Sequence, residues 1–357
     1  MMQAMNEPTT TTPATPTTKP PRRRRLLARV ALLLGTTFVC LLLAEVALRV
    51  AGFSYHLYPE RVEFGWPDPE VIEDYYAPDP DLFWVPNKPT PYAELLEEAR
   101  ADDVDLVFMG CSCTQFGRFH DALTYLVETE FKGKTLPSAN LACGGWSTFQ
   151  GLQQLRRDVV PLAPEVIFVF YGWNDHWIGF GIEDKHVPEV NRGWLYSMQW
   201  SRVAQFVSRA VVAAESDSQR PKRVSLDDFE GNLRAIVTTA RAAGITPILI
   251  TAPTSFPLFD DIEQFAKLKE RHIDDLDELI PLHASYVEKV RLVAAEEHAV
   301  LCDFAAFIAG LPKEEALTYF IDDGIHFTDI GGLKTGKFLL DCLRDNELLE
   351  GLLRKKQ

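Results

Sequence analysis

Basic residues are scarce in this sequence. Its 357 residues include 36 Lys and Arg against 51 Asp and Glu, which gives a formal net charge of −15. The basic residues also crowd at the start, because residues 1–29 carry a net +5 and residues 30–357 carry −20. Binding to a nucleic acid backbone needs clustered Lys and Arg, so the composition argues against a nucleic acid partner.

Cysteine is sparse as well, and the chain has no internal repeat. Six cysteines in a chain of this length do not make a disulfide-rich scaffold. The remaining composition, with 46% hydrophobic residues and a pI near 5.0, describes a folded acidic protein of one or two domains.

Large apolar side chains are almost absent from the first 21 residues, which are mostly Thr, Pro, Ala and Met. Such a composition buries too little surface to offset the entropy of ordering. With the basic run Arg22–Arg25, residues 1–25 are predicted to form a disordered basic cytoplasmic tail.

The chain has one long apolar run, from Leu26 to about Leu48. A helix over residues 26–50 is long enough to cross a membrane, and Glu45 lies four residues before Arg49, close enough to pair with it. The positive-inside rule then predicts a single-pass protein with a cytoplasmic N-terminus and an extracytoplasmic body, periplasmic or at the cell surface. A cleaved signal peptide is the alternative, and both interpretations place the body across the membrane.

Residues 51–100 are rich in Pro, Tyr, Trp and acidic residues. Frequent prolines forbid a long helix, and the aromatic residues favour packing against a domain. We therefore predict an extended strap over this range.

Residues 101–348 alternate apolar strands with amphipathic helices. This rhythm indicates βαβ units, and hence a parallel sheet with helices on both faces. Residues 177–222 interrupt the alternation of strands and helices. We predict that they form an insertion, called the excursion below, near the edge of the sheet that carries the active site, with a helix over about Ser201–Ala214. The predicted strands are Asp105–Met109, Ser138–Ala142, Val166–Tyr171, Pro247–Thr251 and Ala299–Asp303; the other predicted helices are 118–130, Ser147–Val159, Phe229–Ala243 and Ser285–Glu297.

Ser112 follows the first of these strands, in the run Met109-Gly110-Cys111-Ser112. Sites in open α/β sheets lie just beyond the carboxyl ends of the strands, where a nucleophile is expected. A Gly-x-Ser after a strand is more often a plain turn or a helix N-cap, so this position alone does not establish catalysis.

Three other strand ends carry similar signals. Gly144 and Gly145 form a turn whose backbone N–H groups can approach a ligand, and Ser147 can cap the helix that follows. Asn174 follows the strand ending near Tyr171, and its amide can donate to developing negative charge.

The last strand end carries Asp323 and His326, three residues apart across a glycine. At this spacing the carboxylate can fix the imidazole tautomer while the other ring nitrogen faces a serine. Each signal alone has an ordinary structural explanation, but the order Ser, Gly, Asn, Asp-x-x-His at successive strand ends is hard to obtain by accident.

These four blocks resemble those of the SGNH (GDSL-like) hydrolase superfamily, over roughly Asp105 to Leu343. The resemblance implies a flavodoxin-like three-layer α/β/α domain and an ester hydrolase without metal or organic cofactor. Carried over by position, Ser112 is the implied nucleophile, with His326 as its base and Asp323, rather than Asp322, as the orienting carboxylate.

The resemblance also implies an oxyanion hole made of the Ser112 N–H, the Gly145 N–H and Asn174, with Gly144 as the alternative glycine. One residue departs from the family pattern: Cys111 stands where the family commonly has Asp before the serine. The serine is retained, but the hydrogen bonding of its turn must differ.

Three cysteines fall near this predicted site. A disulfide between Cys143 and either Cys111 or Cys113 is one hypothesis for an extracytoplasmic domain. A cysteine nucleophile or a metal site on Cys111 and Cys113 is another, although Cys-x-Cys is a poor spacing for structural zinc.

The leading functional hypothesis is a serine esterase acting on an O-acyl ester, such as an acetyl group on an envelope or extracellular glycan. The same site could pass the acyl group to a sugar hydroxyl, as an O-acyltransferase. A catalytically inactive glycan binder is the third hypothesis, and its stacking platforms would be Trp146, Trp173, Trp177 and Trp194. The acyl-chain length, the substrate and the oligomeric state leave no motif in the sequence.

Overall fold

The computed structural model describes residues 22–54, 75–178, 183–188, 198, 200–215, 221–259 and 275–354. Residues 1–21 of the predicted tail, residues 55–74 of the predicted strap, Trp194 and about two fifths of the predicted excursion lie outside these residues. Residues 22–25, predicted to belong to the disordered tail, are instead helical. The chain divides into two compact units, one containing the N-terminal helix with Ser201–Val203 and the other containing the rest.

Helix α1 spans Arg22–Val50, and its part Arg29–Val50 has a mean hydropathy of 2.3 with no buried residues. By length and composition it is able to cross a membrane, and a signal sequence has the same properties. Glu45 and Arg49 form the expected ion pair, at 2.7 Å. Glu45 also accepts hydrogen bonds from the Ser201 hydroxyl and from the backbone N–H groups of Arg202 and Val203.

The described part of the predicted strap is an antiparallel hairpin followed by a helix. Strands β1 (Tyr76–Asp79) and β2 (Phe83–Pro86) pair with each other, and α2 covers Tyr92–Ala101. The extended conformation therefore ends before residue 100. Prolines stop at Pro91, the N-cap of α2, and the following Glu- and Leu-rich segment has good helix formers.

The second unit is built on a five-stranded, entirely parallel sheet with the order β4-β3-β5-β6-β7. This is the flavodoxin-like order, which reverses direction between β3 and β5. The strands are β3 (Leu106–Gly110), β4 (Ser138–Asn140), β5 (Val166–Phe170), β6 (Thr246–Ile250) and β7 (Val300–Cys302).

Helices pack on both faces of this sheet, as the alternating pattern predicted. Phe108 and Phe168 stack in the core cluster that also contains α4 and α11, while the intervening Val107 and Ile167 are equally buried on the opposite face. The α-helices of the described residues after α2 are α3 (Ser112–Gln115), α4 (Phe119–Glu130), α5 (Thr148–Gln154), α6 (Arg202–Glu215), α7 (Leu226–Ala242), α8 (Leu279–Glu296), α9 (Phe304–Ala309), α10 (Lys313–Leu317), α11 (Asp329–Asp345) and α12 (Leu348–Arg354).

Helix α11 packs closely against α4 because of a glycine. A Cβ at Gly336 would lie 2.6 Å from the Cβ of Ala122, which no side chain could accommodate without movement. Thr328 caps α11 by accepting from the N–H of Gly331 at 2.9 Å. The close packing and the cap fix the start of α11, directly after the predicted Asp-x-x-His block.

Candidate active site

Three of the predicted site loops leave neighbouring strands at the place where the sheet order reverses. Ser112 follows β3, the Gly144-Gly145 turn follows β4, and Asn174 follows β5. Ligand sites of open α/β sheets lie at such a reversal, outside the carboxyl ends of the strands. The topology thus brings together loops that are separate in the sequence.

Ser112 and His326 are in hydrogen-bond contact, with 2.7 Å between Ser112 Oγ and His326 Nε2. Ser112 is the first residue of α3, so its N–H has no acceptor within the helix. Among the described residues this N–H has no partner, although the N–H groups of Thr114 and Gln115 both donate to the Cys111 carbonyl. The Ser112 hydroxyl, the Ser112 N–H and the ring nitrogen of His326 thus lie together beyond the end of β3.

Asp323 and His326 occupy a tight loop that is closed at its base. Phe320 and Phe327 form an isolated antiparallel bridge, and Gly324 takes a φ of +73° between the two polar residues. Asp323 Oδ2 lies 2.5 Å from His326 Nδ1, while Oδ1 accepts the backbone N–H groups of Ile325 and His326, each at 2.9 Å. It is Asp323, not the exposed Asp322, that contacts the imidazole.

The two groups perturb each other's protonation. Burial opposes the charged form of each, but their mutual hydrogen bond and charge outweigh it, so the pKa of Asp323 is lowered and the pKa of His326 is raised above 6.5. With Nδ1 bonded to the carboxylate, neutral His326 presents Nε2 as the acceptor for the Ser112 proton.

The turn after β4 is held against the Ser112 turn. The Cys143 N–H donates to the Gly110 carbonyl at 3.2 Å, and the Gly144 N–H donates to Gln115 Oε1 at 2.7 Å. Gly145 has a φ of +79°, and its N–H has no hydrogen-bond partner in the described part of the chain. Of the two glycines, Gly144 is therefore occupied and Gly145 is available.

Asn174 is buried, and its side-chain amide donates to the Trp146 carbonyl at 2.9 Å. A primary amide has two N–H groups, so a second hydrogen remains available. The next residue, Asp175, ties two site loops together, since it accepts from the Thr148 N–H at 2.8 Å and from the Gly172 N–H at 3.1 Å. Burial raises the pKa of Asp175 to about 6.

The cysteine pairing hypothesized from the sequence is wrong. Cys111, Cys113 and Cys143 are free and buried, and the disulfide joins Cys302 to Cys342. A hydrogen bond between the Cys111 and Cys113 thiols lowers the pKa of Cys111 and raises that of Cys113.

The actual pair connects the last strand to α11, with Cα atoms 5.9 Å apart, which is normal for a disulfide. No group of three or more metal-binding side chains occurs among the described residues.

Two residues that support the site carry no local signal in the sequence. The Trp84 indole N–H donates to the Gly144 carbonyl at 2.9 Å, and Arg223 Nη1 donates to the Gly145 carbonyl at 2.5 Å. Trp84 lies in the hairpin, 60 positions from Gly144, and Arg223 follows residues 177–222 directly, 78 positions from Gly145. By contrast Asp175, which follows Asn174 directly, and Gln115, three residues after Ser112, could be suspected from proximity alone.

Comparison with known proteins places these loops in a known family. Residues 107–332, more than half of the chain, match the model of the GDSL-like lipase/acylhydrolase family. A search of curated proteins gave no match.

Among solved structures, the chain resembles a lipase/acylhydrolase from Enterococcus faecalis (TM-score 0.45, 15% identity, covering 68% of this chain and 96% of that one). It also resembles a GDSL-like lipase from Bacteroides thetaiotaomicron (TM-score 0.42, 17% identity, covering 74% of this chain and 98% of that one). A third similar structure is an acetylxylan esterase from Geobacillus stearothermophilus (TM-score 0.41, 16% identity, covering 67% of this chain and 93% of that one).

The parallel α/β fold and the family match define an ester hydrolase. The chain belongs to the GDSL-like lipase/acylhydrolase family. The family match, rather than the distant structural resemblances, carries this assignment.

Proposed function

We propose that the chain is a serine esterase in which Ser112 attacks an O-acyl ester. His326 removes the Ser112 proton and later protonates the leaving group, and Asp323 orients His326 and stabilises its charged form. The observation that carries the proposal is the unbroken line of contacts from Asp323 Oδ2 through the imidazole to Ser112 Oγ, at 2.5 and 2.7 Å.

The negative oxygen of the tetrahedral intermediate is proposed to bind the N–H groups of Ser112 and Gly145 and the free amide hydrogen of Asn174. Support comes from the availability of all three donors among the described residues. Gly144 is the weaker candidate, because its N–H already donates to Gln115. Donors fixed in advance stabilise developing charge without reorganisation during the reaction.

The contacts weigh against a cysteine nucleophile. His326 Nε2 contacts the serine hydroxyl, while the Cys113 thiol is buried with a raised pKa and lies 3.9 Å from the Ile325 carbonyl. A thiol of raised pKa holds little of the reactive thiolate. The pKa of Cys111 is lowered, but this thiol is buried at 3% exposure, which restricts its access to a substrate.

An inactive glycan binder is also disfavoured. A sugar stacks on an exposed aromatic face, but Trp146, Trp173 and Trp177 are only 0%, 3% and 9% exposed. Trp173 instead stacks on His283, with 3.8 Å between the ring centroids. These tryptophans belong to the core.

We further propose that α1 anchors the protein and that the hydrolase domain lies outside the cytoplasm. The exposed apolar helix supports anchoring, and the Cys302–Cys342 disulfide supports an oxidising compartment. Translation into microsomes tests this topology. We expect a C-terminal tag that is protected from added protease, on a chain that has its full size before the protease is added. A digested tag, or a chain already shortened before the protease is added, contradicts the proposal.

The catalytic proposal is tested with the full chain in detergent. We expect hydrolysis of 4-nitrophenyl acetate and labelling of Ser112 by a fluorophosphonate, mapped by mass spectrometry, with both lost in Ser112→Ala. Cys113→Ser is the matched control and should retain both. Absence of turnover and label in the wild type would contradict the proposal, and preferred acyl transfer to an added oligosaccharide would identify an O-acyltransferase instead.

A further inference from the structure

The Gly144-Gly145 turn, which carries the proposed oxyanion donor, is held in place by a residue outside the family-matched region. Trp84 lies in β2, before the matched residues 107–332, and is 2% exposed. Its indole N–H donates to the Gly144 carbonyl at 2.9 Å, and its own carbonyl accepts the indole N–H of Trp146 at 2.8 Å. The hairpin and the turn are thus joined by two reciprocal hydrogen bonds.

The hydrogen bond from Trp84, at 2.9 Å, is the shorter of two that fix where the Gly145 N–H points; the Cys143 thiol also donates to the Gly144 carbonyl, at 3.7 Å. The Gly144 carbonyl and the Gly145 N–H belong to one planar trans peptide, so they point in opposite directions. Fixing the carbonyl toward the hairpin turns the N–H away from it. Rotation of this peptide would present a carbonyl oxygen where a donor is needed, and would repel a negatively charged oxygen.

The ring of Trp84 also restricts the glycine itself. A Cβ at Gly145 would lie 3.0 Å from Cζ2 of the indole, so the ring packs directly over the backbone at the residue with φ +79°. The guanidinium of Arg223 lies over the same indole, 5.6 Å from its centroid, while it donates to the Gly145 carbonyl. The residue is thus held by an aromatic face and a cation.

Each of three consecutive peptide groups in the turn is hydrogen-bonded to a different side chain. Gln115 accepts the Gly144 N–H, Trp84 holds the Gly144 carbonyl, and Arg223 holds the Gly145 carbonyl. The Arg223 charge is balanced by buried Asp184, at 2.7 Å. Only the Gly145 N–H is left without a partner among the described residues of this turn, and a hydrogen bond to the carbonyl of a peptide strengthens its N–H as a donor.

We infer that Trp84 is a positioning residue, which orients the Gly145 N–H for the oxyanion through its hydrogen bond to the Gly144 carbonyl. This inference rests on the proposed serine esterase function. If Trp84 acts in this way, the hairpin of β1 and β2 contributes to the catalytic rate as well as to the packing of the domain.

The test uses the full chain in detergent with 4-nitrophenyl acetate as substrate. Trp84→Phe keeps an aromatic ring but removes the N–H, and kcat is expected to fall about 10- to 100-fold, below the ~10²–10³ seen on deleting a donor outright. KM should stay within about twofold, because the interaction matters mainly in the transition state. The pH inflection set by His326 should not move.

Two controls separate positioning from folding. Trp200→Phe removes an indole N–H from an exposed position, 71% accessible, and should leave kcat unchanged. If Trp84→Phe lowers the thermal midpoint, replacement of Trp84 by 3-benzothienylalanine decides the question, since this analogue keeps both rings and lacks the N–H.

A folded Trp84 variant with wild-type kcat overturns the inference and leaves the esterase proposal intact. A wild type that neither turns over ester nor labels at Ser112 overturns the esterase proposal, and this inference with it. A fall in kcat at constant KM, with the His326 inflection unchanged, supports the inference.

Discussion

His326 Nε2 lies 2.7 Å from Ser112 Oγ, although the two residues are 214 positions apart in the chain. The contact joins the loop before α11 to the turn after β3. It places a ring nitrogen within hydrogen-bond distance of the serine hydroxyl before any substrate binds, as the proposed roles of base and nucleophile require.

The pH profile of the wild type is the first prediction. Catalysis needs neutral His326, so kcat/KM for 4-nitrophenyl acetate should fall as the pH is lowered through the pKa of His326. Because Asp323 raises that pKa despite burial, the inflection should lie above 6.5. Rates measured from about pH 5 to 9 give its position. An inflection below 6.5, or activity that increases in acid, would contradict the assignment.

Asp323→Asn should lower both the rate and the inflection. The amide removes the charge that favours protonated His326, so burial then dominates and the inflection moves to lower pH. The loss of the orienting carboxylate should reduce kcat by about 10²- to 10⁴-fold. Asp322→Asn, one residue earlier and exposed, is the matched control and should behave like the wild type. If Asp322→Asn lowered the rate and the inflection while Asp323→Asn behaved like the wild type, Asp322 would be the orienting carboxylate instead.

Asn174→Ala should reduce kcat by about 10²- to 10³-fold with little change in KM, because a donor to the oxyanion is lost. Steady-state kinetics on the purified full chain measure both constants. Asn346→Ala is a suitable comparison, since within the described part of the chain the side chain of Asn346 donates only to Cys342, in the last turn of α11. A loss confined to KM would indicate that Asn174 binds the ground state instead.

Reductant should destabilise the protein through Cys302–Cys342. The two cysteines are 40 residues apart, and the chain-entropy model gives such a bridge a stabilisation of about 4 kcal/mol. Thermal unfolding with and without dithiothreitol should therefore show a lower midpoint in reductant. The double variant Cys302→Ala, Cys342→Ala should not respond, whereas Cys143→Ala should respond like the wild type. Loss of the response in Cys143→Ala would contradict this pairing.

Local patterns were sufficient to predict the sheet and three of the four loops. The loop with Asp323 and His326 was expected at a strand end, but it follows α10, and Phe320 and Phe327 beside it form only an isolated bridge. Short apolar runs followed by Gly, Ser, Asn or Asp indicate buried strands that end in polar turns, and the observed strands begin and end within about two residues of the predicted ones. The helix over residues 92–101 was missed, because the prolines before it dominated the interpretation of the whole segment.

The sequence by itself determined the fold class, the family blocks and the spacing of Asp323 to His326, since these depend on residues close together in the chain. Only the tertiary structure decided which of the two glycine N–H groups lacks a partner among the described residues, which cysteines pair, and that Trp84 and Arg223 hold the Gly144-Gly145 turn. These depend on contacts between distant segments, whose partners are selected by the packing of the whole domain and leave no pattern in either segment alone.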